Sequence, residues 1–136
     1  PIGGLVARMM RYPQFARSMQ RICCRPLAET DLRALWQLIE HHDGRAAIPR
    51  LIGYMAERRV HRERWVGALV QPPVPVRLVN GSADPISGAH MVARYRELVP
   101  DADVVALPGI GHYPQLEAPE AVVAAIRTER ELEKLI

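Results

Sequence analysis

Two short runs rich in apolar and β-branched residues, Val74 to Val79 and Ala102 to Leu107, stand on either side of one helical stretch, and that order leaves few folds open. The stretch between them, Ser87 to Val99, carries Met91, Val92, Tyr95, Leu98 and Val99 on one side and is stopped by Pro100. Strand, helix and strand at these lengths make a parallel βαβ unit with a right-handed crossover. The first run is apolar on both faces apart from Arg77 and is closed by Asn80-Gly81, whereas Pro108, Gly109 and Gly111 break the second. A last helix from Pro119 is expected to turn Val122, Val123 and Ile126 inward, ahead of a charged tail after Arg127. The fold class is therefore α/β. A parallel sheet covered on both faces has more than two members, so this pair is expected to extend a sheet whose other strands lie elsewhere.

Ahead of this unit the grammar is helical, from Pro13 to about Val70. Thr30 is placed to cap a helix whose Leu32, Leu35, Trp36 and Ile39 share a face, ending near Asp43-Gly44. A second helix repeats the spacing with Ile48, Leu51, Ile52 and Met55, and a third piece from Arg64 to Val70 offers Trp65 and Leu69. Core packing is the expected use of these stripes. The prolines of Gln71-Pro72-Pro73 stop the helical half and favour extended chain beyond it, dividing the sequence into residues 1–71 and 72–136.

A hydrophobic content of 49% in 136 residues argues against disorder and for one modest globular body. The net charge of +3 comes largely from Arg58, Arg59, Arg62 and Arg64, interrupted by Glu57 and Glu63. That spacing matches no nucleic-acid module and reads as a solvated helix face, so no nucleic-acid partner is expected. The adjacent Cys23 and Cys24 imply reduced, packed thiols and a cytoplasmic setting rather than a disulfide scaffold. No metal-ligand spacing is present, and neither a metal nor a cofactor is expected. No run is long enough for a membrane span, and the start lacks the blocks of a signal peptide. Beginning at Pro1 without a Met, the chain reads as a piece of a longer protein.

In open parallel sheets, ligands bind beyond the carboxyl ends of the strands. Asp84 lies just past the first strand in Asn80-Gly81-Ser82-Ala83-Asp84-Pro85, and His112 just past the second in Gly109-Ile110-Gly111-His112-Tyr113-Pro114. A carboxylate at that edge accepts the proton of one imidazole nitrogen and leaves the other facing a nucleophile or water. The glycines at Gly109 and Gly111 are expected to allow a sharp turn and to keep side chains away from the imidazole. Each signal alone is weak, because an Asp before Pro and a solvated loop His are both common. Their equivalent placement on two parallel strands is what raises them to a candidate acid–base dyad.

The run Val76-Arg77-Leu78-Val79-Asn80-Gly81-Ser82-Ala83-Asp84-Pro85, followed by Leu107-Pro108-Gly109-Ile110-Gly111-His112-Tyr113-Pro114-Gln115-Leu116-Glu117-Ala118-Pro119, resembles the end of the α/β-hydrolase fold. Within that superfamily, His41-His42-Asp43-Gly44 and Arg64-Trp65-Val66-Gly67-Ala68-Leu69 look most like the mesoderm-specific transcript branch, related to epoxide hydrolases and haloalkane dehalogenases. The resemblance covers nearly the whole chain. It implies that residues 1–71 are the helical cap over an active-site mouth, that residues 72–136 are the C-terminal βαβα part of the hydrolase core, and that Asp84 and His112 are the acid and base of a catalytic triad. The family's nucleophile, Ser or Asp, sits on a G-x-[S/D]-x-G elbow before the cap, and its oxyanion amides come from the first strands. No such elbow occurs here: Asn80 and Asp84 stand where Ser82 would need glycines, and Ser18 and Ser87 fare no better. The implied partners are a small ester, epoxide or alkyl halide and the missing N-terminal half of the core.

His41 and His42 are read as caps at a helix end, and His61 and His90 as surface residues. Trp36 and Trp65 are candidates for core or pocket wall, and Tyr113, beside His112, for the cavity lining. Three function classes follow: part of an active hydrolase, a non-catalytic binding module that kept the dyad, and nucleic-acid binding by the Arg-rich helix.

Overall fold

A computed structural model describes residues 9–127. The chain divides into two compact units, one taking residues up to Met19 and Ala28–Pro73, the other Gln20–Leu27 and everything from Val74 on. Among the described residues no helix is long and apolar enough to cross a membrane.

In the first unit, α1 (Tyr12–Ile22, whose last residues belong to the second unit) and α2 (Glu29–Glu40) bury Phe15, Met19, Leu32 and Trp36. Trp36 packs at 5.5 Å on Phe15 and edge-on to Tyr12, with the Arg33 guanidinium over the Tyr12 ring at 4.7 Å. Thr30 does not cap α2. The helix starts two residues earlier, on an extended Ala28 with no side-chain cap, and Glu29 and Asp31 in its first turn complement the helix dipole instead. Its far end also departs from expectation. The turn is made by His42 and Asp43, both left-handed at φ 49° and 57°, rather than by Gly44, and a 3₁₀ stretch His41–Ala47 follows.

The expected second helix is two short ones, α3 (Ile48–Ile52) and α4 (Tyr54–Val60), broken at Gly53 and followed by α5 (Arg62–Val70). Leu51, Ile52 and Met55 are 67, 59 and 51% exposed, so this stripe is not core. A helix of one or two turns lacks the length to lay a continuous apolar face on a neighbour. Arg58, Arg59, Arg62 and Arg64 are all exposed.

The second unit holds β1 (Arg77–Gly81), α6 (Ala89–Leu98), β2 (Asp103–Leu107), α7 (Pro114–Glu117) and α8 (Pro119–Ile126). The strands pair in parallel, from Arg77 opposite Asp103 to Gly81 opposite Leu107. The first strand starts later than its apolar run because Pro75 has no N–H for a ladder, and Asn80 and Gly81 belong to it rather than close it. Arg77 ties the start of the ladder together, donating from Nε to Asp103 at 2.8 Å and from Nη1 to the Ala125 carbonyl at the end of α8. A cation there also suits the negative end of that helix. The inward residues of α6 are the expected ones, led by buried Val92. Those of α8 are so only in part. Val122 is half-buried as expected, but Val123 and Ile126 are exposed, Ala125 and the capping Ala118 are buried instead, and Val123 lines a shallow cavity of about 510 Å³ with Pro119, Glu120, Ala124 and Arg127. The charged tail after Arg127 lies outside the described residues.

These burials set a contrast within one unit. Leu32, at 3% exposure, is expected to cost about 3 kcal/mol when changed to Ala. Leu51→Ala is expected to stay within about 0.5 kcal/mol of the parent in urea unfolding. Equal losses for the two would show that the apolar stripe of α3 is core after all.

Candidate active site

Because both strands point the same way and end together, the loops after them leave from one edge of the pair. The ladder continues briefly into those loops. The Ser82 N–H donates to the Leu107 carbonyl and the Ala83 N–H to the Ile110 carbonyl, at 3.1 and 3.0 Å. These bonds bring together two side chains far apart in sequence: His112 Nδ1 lies 2.8 Å from Asp84 Oδ2.

Asp84 is 4% exposed at its side chain and is surrounded by donors. Its Oδ1 accepts the Ile86 N–H at 2.7 Å, an Asx-type turn across Pro85, and its Oδ2 accepts the Ser87 hydroxyl at 2.7 Å. The Ser87 carbonyl is in turn held by the Asn80 amide at 2.7 Å. Burial by itself pushes the Asp84 carboxyl up, but the bonds from His112, Ile86 and Ser87 outweigh it and hold the group below its ordinary value. Asp84 is therefore a carboxylate, which only accepts, so the shared hydrogen sits on His112 Nδ1. The remaining imidazole nitrogen makes no bond to Asp84 and belongs to a side chain that is 27% exposed.

The His112 loop is fixed through its backbone. Gly109 turns the chain at φ 69°, as its sequence position suggested. Gly111 serves a different need from the expected one. A Cβ there would come within 2.6 Å of the Cys24 nitrogen and the Ile22 carbonyl oxygen, so glycine permits close backbone approach to the Ile22–Arg25 segment rather than clearing space at the imidazole. The His112 N–H donates to that same Ile22 carbonyl at 2.9 Å.

Glu117, also buried, closes the arrangement. Its Oε2 accepts the N–H groups of Cys24, Arg25 and Gly111 at 2.7, 2.9 and 2.9 Å, and its Oε1 that of Tyr113 at 3.2 Å. Burial pushes this carboxyl up, and the backbone donors of Arg25, Gly111, Cys24 and Tyr113 bring it below its ordinary value. Cys23 lies close by and is pushed up to about 11, first by burial and then by Glu117, so it stays a neutral thiol at pH 7. Both cysteines are free, but Cys24 is exposed, not packed as expected. Among the described residues no three His, Cys, Asp or Glu side chains converge as a metal site would require.

Of the other candidates, Tyr113 stacks edge-on to His112 with ring centroids 4.9 Å apart. Trp36 is a core residue of the first unit, and Trp65 is 38% exposed on α5. His41 is the C-cap residue of α2, and its ring meets that of His42 at 3.9 Å. His61 lies 3.3 Å from Glu57 one helical turn away, and His90 is exposed. The sequence reading missed Ser87, Asn80 and Glu117 as members of the site. Asp84 and Ser87 at i and i+3 around a proline carried a usable turn signal; the other two carried none that is local.

A family model described as the alpha/beta hydrolase family matches residues 2–125 of this sequence. The chain belongs to the alpha/beta hydrolase family. LipZ of Mycobacterium tuberculosis, provisionally named a hydrolase, is 40% identical over 127 residues, covering 92% of this chain and 44% of that protein. The mesoderm-specific transcript protein of Mus musculus is 34% identical over 120 residues, and its Homo sapiens homologue 33%, each match covering 85% of this chain and 36% of the relative. These matches place the chain in the mesoderm-specific transcript branch of the hydrolase superfamily. The chain thus spans less than half the length of the relatives it matches. No solved structure matches it significantly.

Two carboxyls held below their ordinary values stabilise the fold above those values and stop doing so as pH falls through the depressed ones. Urea stability of the second unit is therefore expected to decline on acidification from the ordinary Glu value of 4.5 downward, and to be flat from there to neutrality as far as these two groups decide it. Ser87→Ala is expected to cost about 1 kcal/mol at pH 7 and to move the Asp84 carboxyl upward in a carboxyl-carbon NMR titration. An unmoved Asp84 titration would remove Ser87 from the site.

Proposed function

We propose that this chain is the C-terminal portion of a hydrolase acting through a nucleophile–His–Asp triad, with Asp84 as acid and His112 as base. The 2.8 Å contact between His112 Nδ1 and a buried carboxylate is the observation that carries this reading. Asp84 fixes the tautomer and stabilises the imidazolium formed when His112 takes a proton. The nucleophile and the oxyanion donors lie outside this sequence, which has no elbow around any of its serines. With a Ser nucleophile, His112 removes the hydroxyl proton during attack. With an Asp nucleophile, it activates the water that cleaves the covalent ester. The substrate is a small ester, epoxide or alkyl halide, and residues 1–71 are the family's helical cap. The polar networks around the dyad favour catalysis over the alternative of a non-catalytic binding module, since a binding surface has no need of an oriented imidazole.

The test uses an aryl ester, a styrene-type epoxide and a short haloalkane, assayed with this chain and with a longer protein containing it. Turnover is expected only from the longer protein, and His112→Ala or Asp84→Asn there is expected to lower kcat by about 10³-fold or more. Turnover by this chain alone that vanishes in His112→Ala would place a nucleophile or activated water within these residues. Turnover by neither would favour the binding module, and turnover indifferent to His112 would remove that residue as the base.

A further inference from the structure

Neither half of the dyad explains why a second carboxylate is buried beside it. Glu117 is 6% exposed, lies on the four-residue helix α7, and makes no contact with Asp84 or with the His112 ring among its hydrogen bonds. Apart from the neighbouring Cys23 thiol, its partners are backbone N–H groups, and these fall into two sets. Gly111 and Tyr113 flank His112 on either side, while Cys24 and Arg25 belong to the segment whose Ile22 carbonyl receives the His112 N–H. Three consecutive amides, 111 to 113, are thus anchored alternately by Glu117, Ile22 and Glu117. Arg25 adds a return bond from its guanidinium to the Glu117 carbonyl at 3.2 Å.

We propose that Glu117 is a positioning residue of the dyad: its carboxylate clamps the backbone on both sides of His112 to the Ile22–Arg25 segment and thereby aims the imidazole at Asp84. The proposal rests on the reading of Asp84 and His112 as acid and base. The chemistry calls for a carboxylate at this place. Two oxygens offer about four acceptor positions, enough for the donors gathered here, whereas an amide offers one oxygen and turns an N–H₂ group towards further N–H donors. Backbone amides also give a stiffer anchor than side chains, whose rotamers would let the loop drift. Stiffness matters because a displacement of about 1 Å at a catalytic group costs on the order of 10²-fold in rate. The clamp has its steric counterpart in Gly111, where any side chain would push the two segments apart.

The experiment is NMR of the full chain with labelled histidine, reading the His112 tautomer from its ring nitrogens and the exchange of its Nδ1 proton, in the parent, Glu117→Gln and Asp84→Asn. The parent is expected to hold His112 in the Nδ1–H form. Glu117→Gln is expected to mix the two tautomers and to speed exchange of the Nδ1 proton and of the Gly111 and Tyr113 amides by about ten- to a hundredfold. The amides of the β1–β2 ladder are expected to keep their protection, which separates a positioning role from general destabilisation. An unchanged tautomer and Nδ1 exchange in folded Glu117→Gln would overturn the proposal while leaving the dyad intact. An unchanged tautomer in Asp84→Asn would instead sink the dyad reading. If Glu117→Gln does not fold, Glu117→Asp, which keeps the charge and draws it back by one methylene, is read the same way. The parent alone gives a further check: the Cys24, Arg25 and Gly111 amides, sharing one oxygen, are expected to open together with the Nδ1 proton, and independent opening would also overturn the clamp.

Discussion

The parallel pairing of β1 with β2 is the constraint from which the site follows. Its register ends Gly81 opposite Leu107, so the loops that leave the two strands start side by side. Bonds from Ser82 to Leu107 and from Ala83 to Ile110 carry the pairing past the strands. An antiparallel pair would have sent the same loops to opposite ends, and no choice of loop residues would then have joined Asp84 to His112. The helix between the strands serves this arrangement by returning the chain to the starting edge. Arg77 holds the opposite end of the pair through Asp103 and the Ala125 carbonyl.

Beyond that edge, two buried carboxylates meet one physical problem in different ways. Burial disfavours the charged form of each, and hydrogen bonds restore it. Asp84 receives a hydroxyl, one backbone N–H and an imidazole, so one of its donors is a titratable ring with a second nitrogen open to chemistry. Glu117 receives four backbone N–H groups and has the neutral Cys23 thiol beside it, a set of donors that makes it an anchor. The difference between an acid in a dyad and a structural carboxylate lies here in what donates to it, since both are equally buried.

Residues whose roles are local were legible in the sequence. The β-branched runs, Pro100, Pro108 and Gly109 mark strand and helix ends by backbone preference alone, and Asp84 and His112 follow from where those ends fall. Roles set by distant backbone were not legible. Gly111 is glycine because of Ile22 and Cys24, and Glu117 is buried because of amides in that same segment, so each looks like an ordinary loop residue when read in line. In α8 the apolar residues run nearly all round, and the expectation rested on the larger ones; the side of Glu120, Val123 and Arg127 faces out, while Ala125 and the capping Ala118 are buried. The spacing of Ile48, Leu51, Ile52 and Met55 reads through Gly53 as one helix; Gly53 keeps helical dihedrals, but the regular helix is interrupted there, and Leu51, Ile52 and Met55 stay exposed. His42 and Asp43 take the left-handed turn in place of Gly44; glycine is the commoner choice there, but Asp and His are among the other residues that adopt this region most readily.

The partners that fix the dyad all lie in the second unit. Ile86, Ser87 and Asn80 arrange Asp84, while Ile22, Cys24, Arg25, Gly111, Tyr113 and Glu117 arrange the backbone of His112. The mutual orientation of Asp84 and His112 is therefore set by bonds within this unit. On the proposed reading of the pair as acid and base, it presents one oriented nitrogen, and the reaction would depend on the group brought to it: a serine hydroxyl gives an acyl transfer, and a water beside an aspartyl ester gives a hydrolytic deacylation. On that same reading, the residues that decide between the two need not touch Asp84, Ser87 or Glu117.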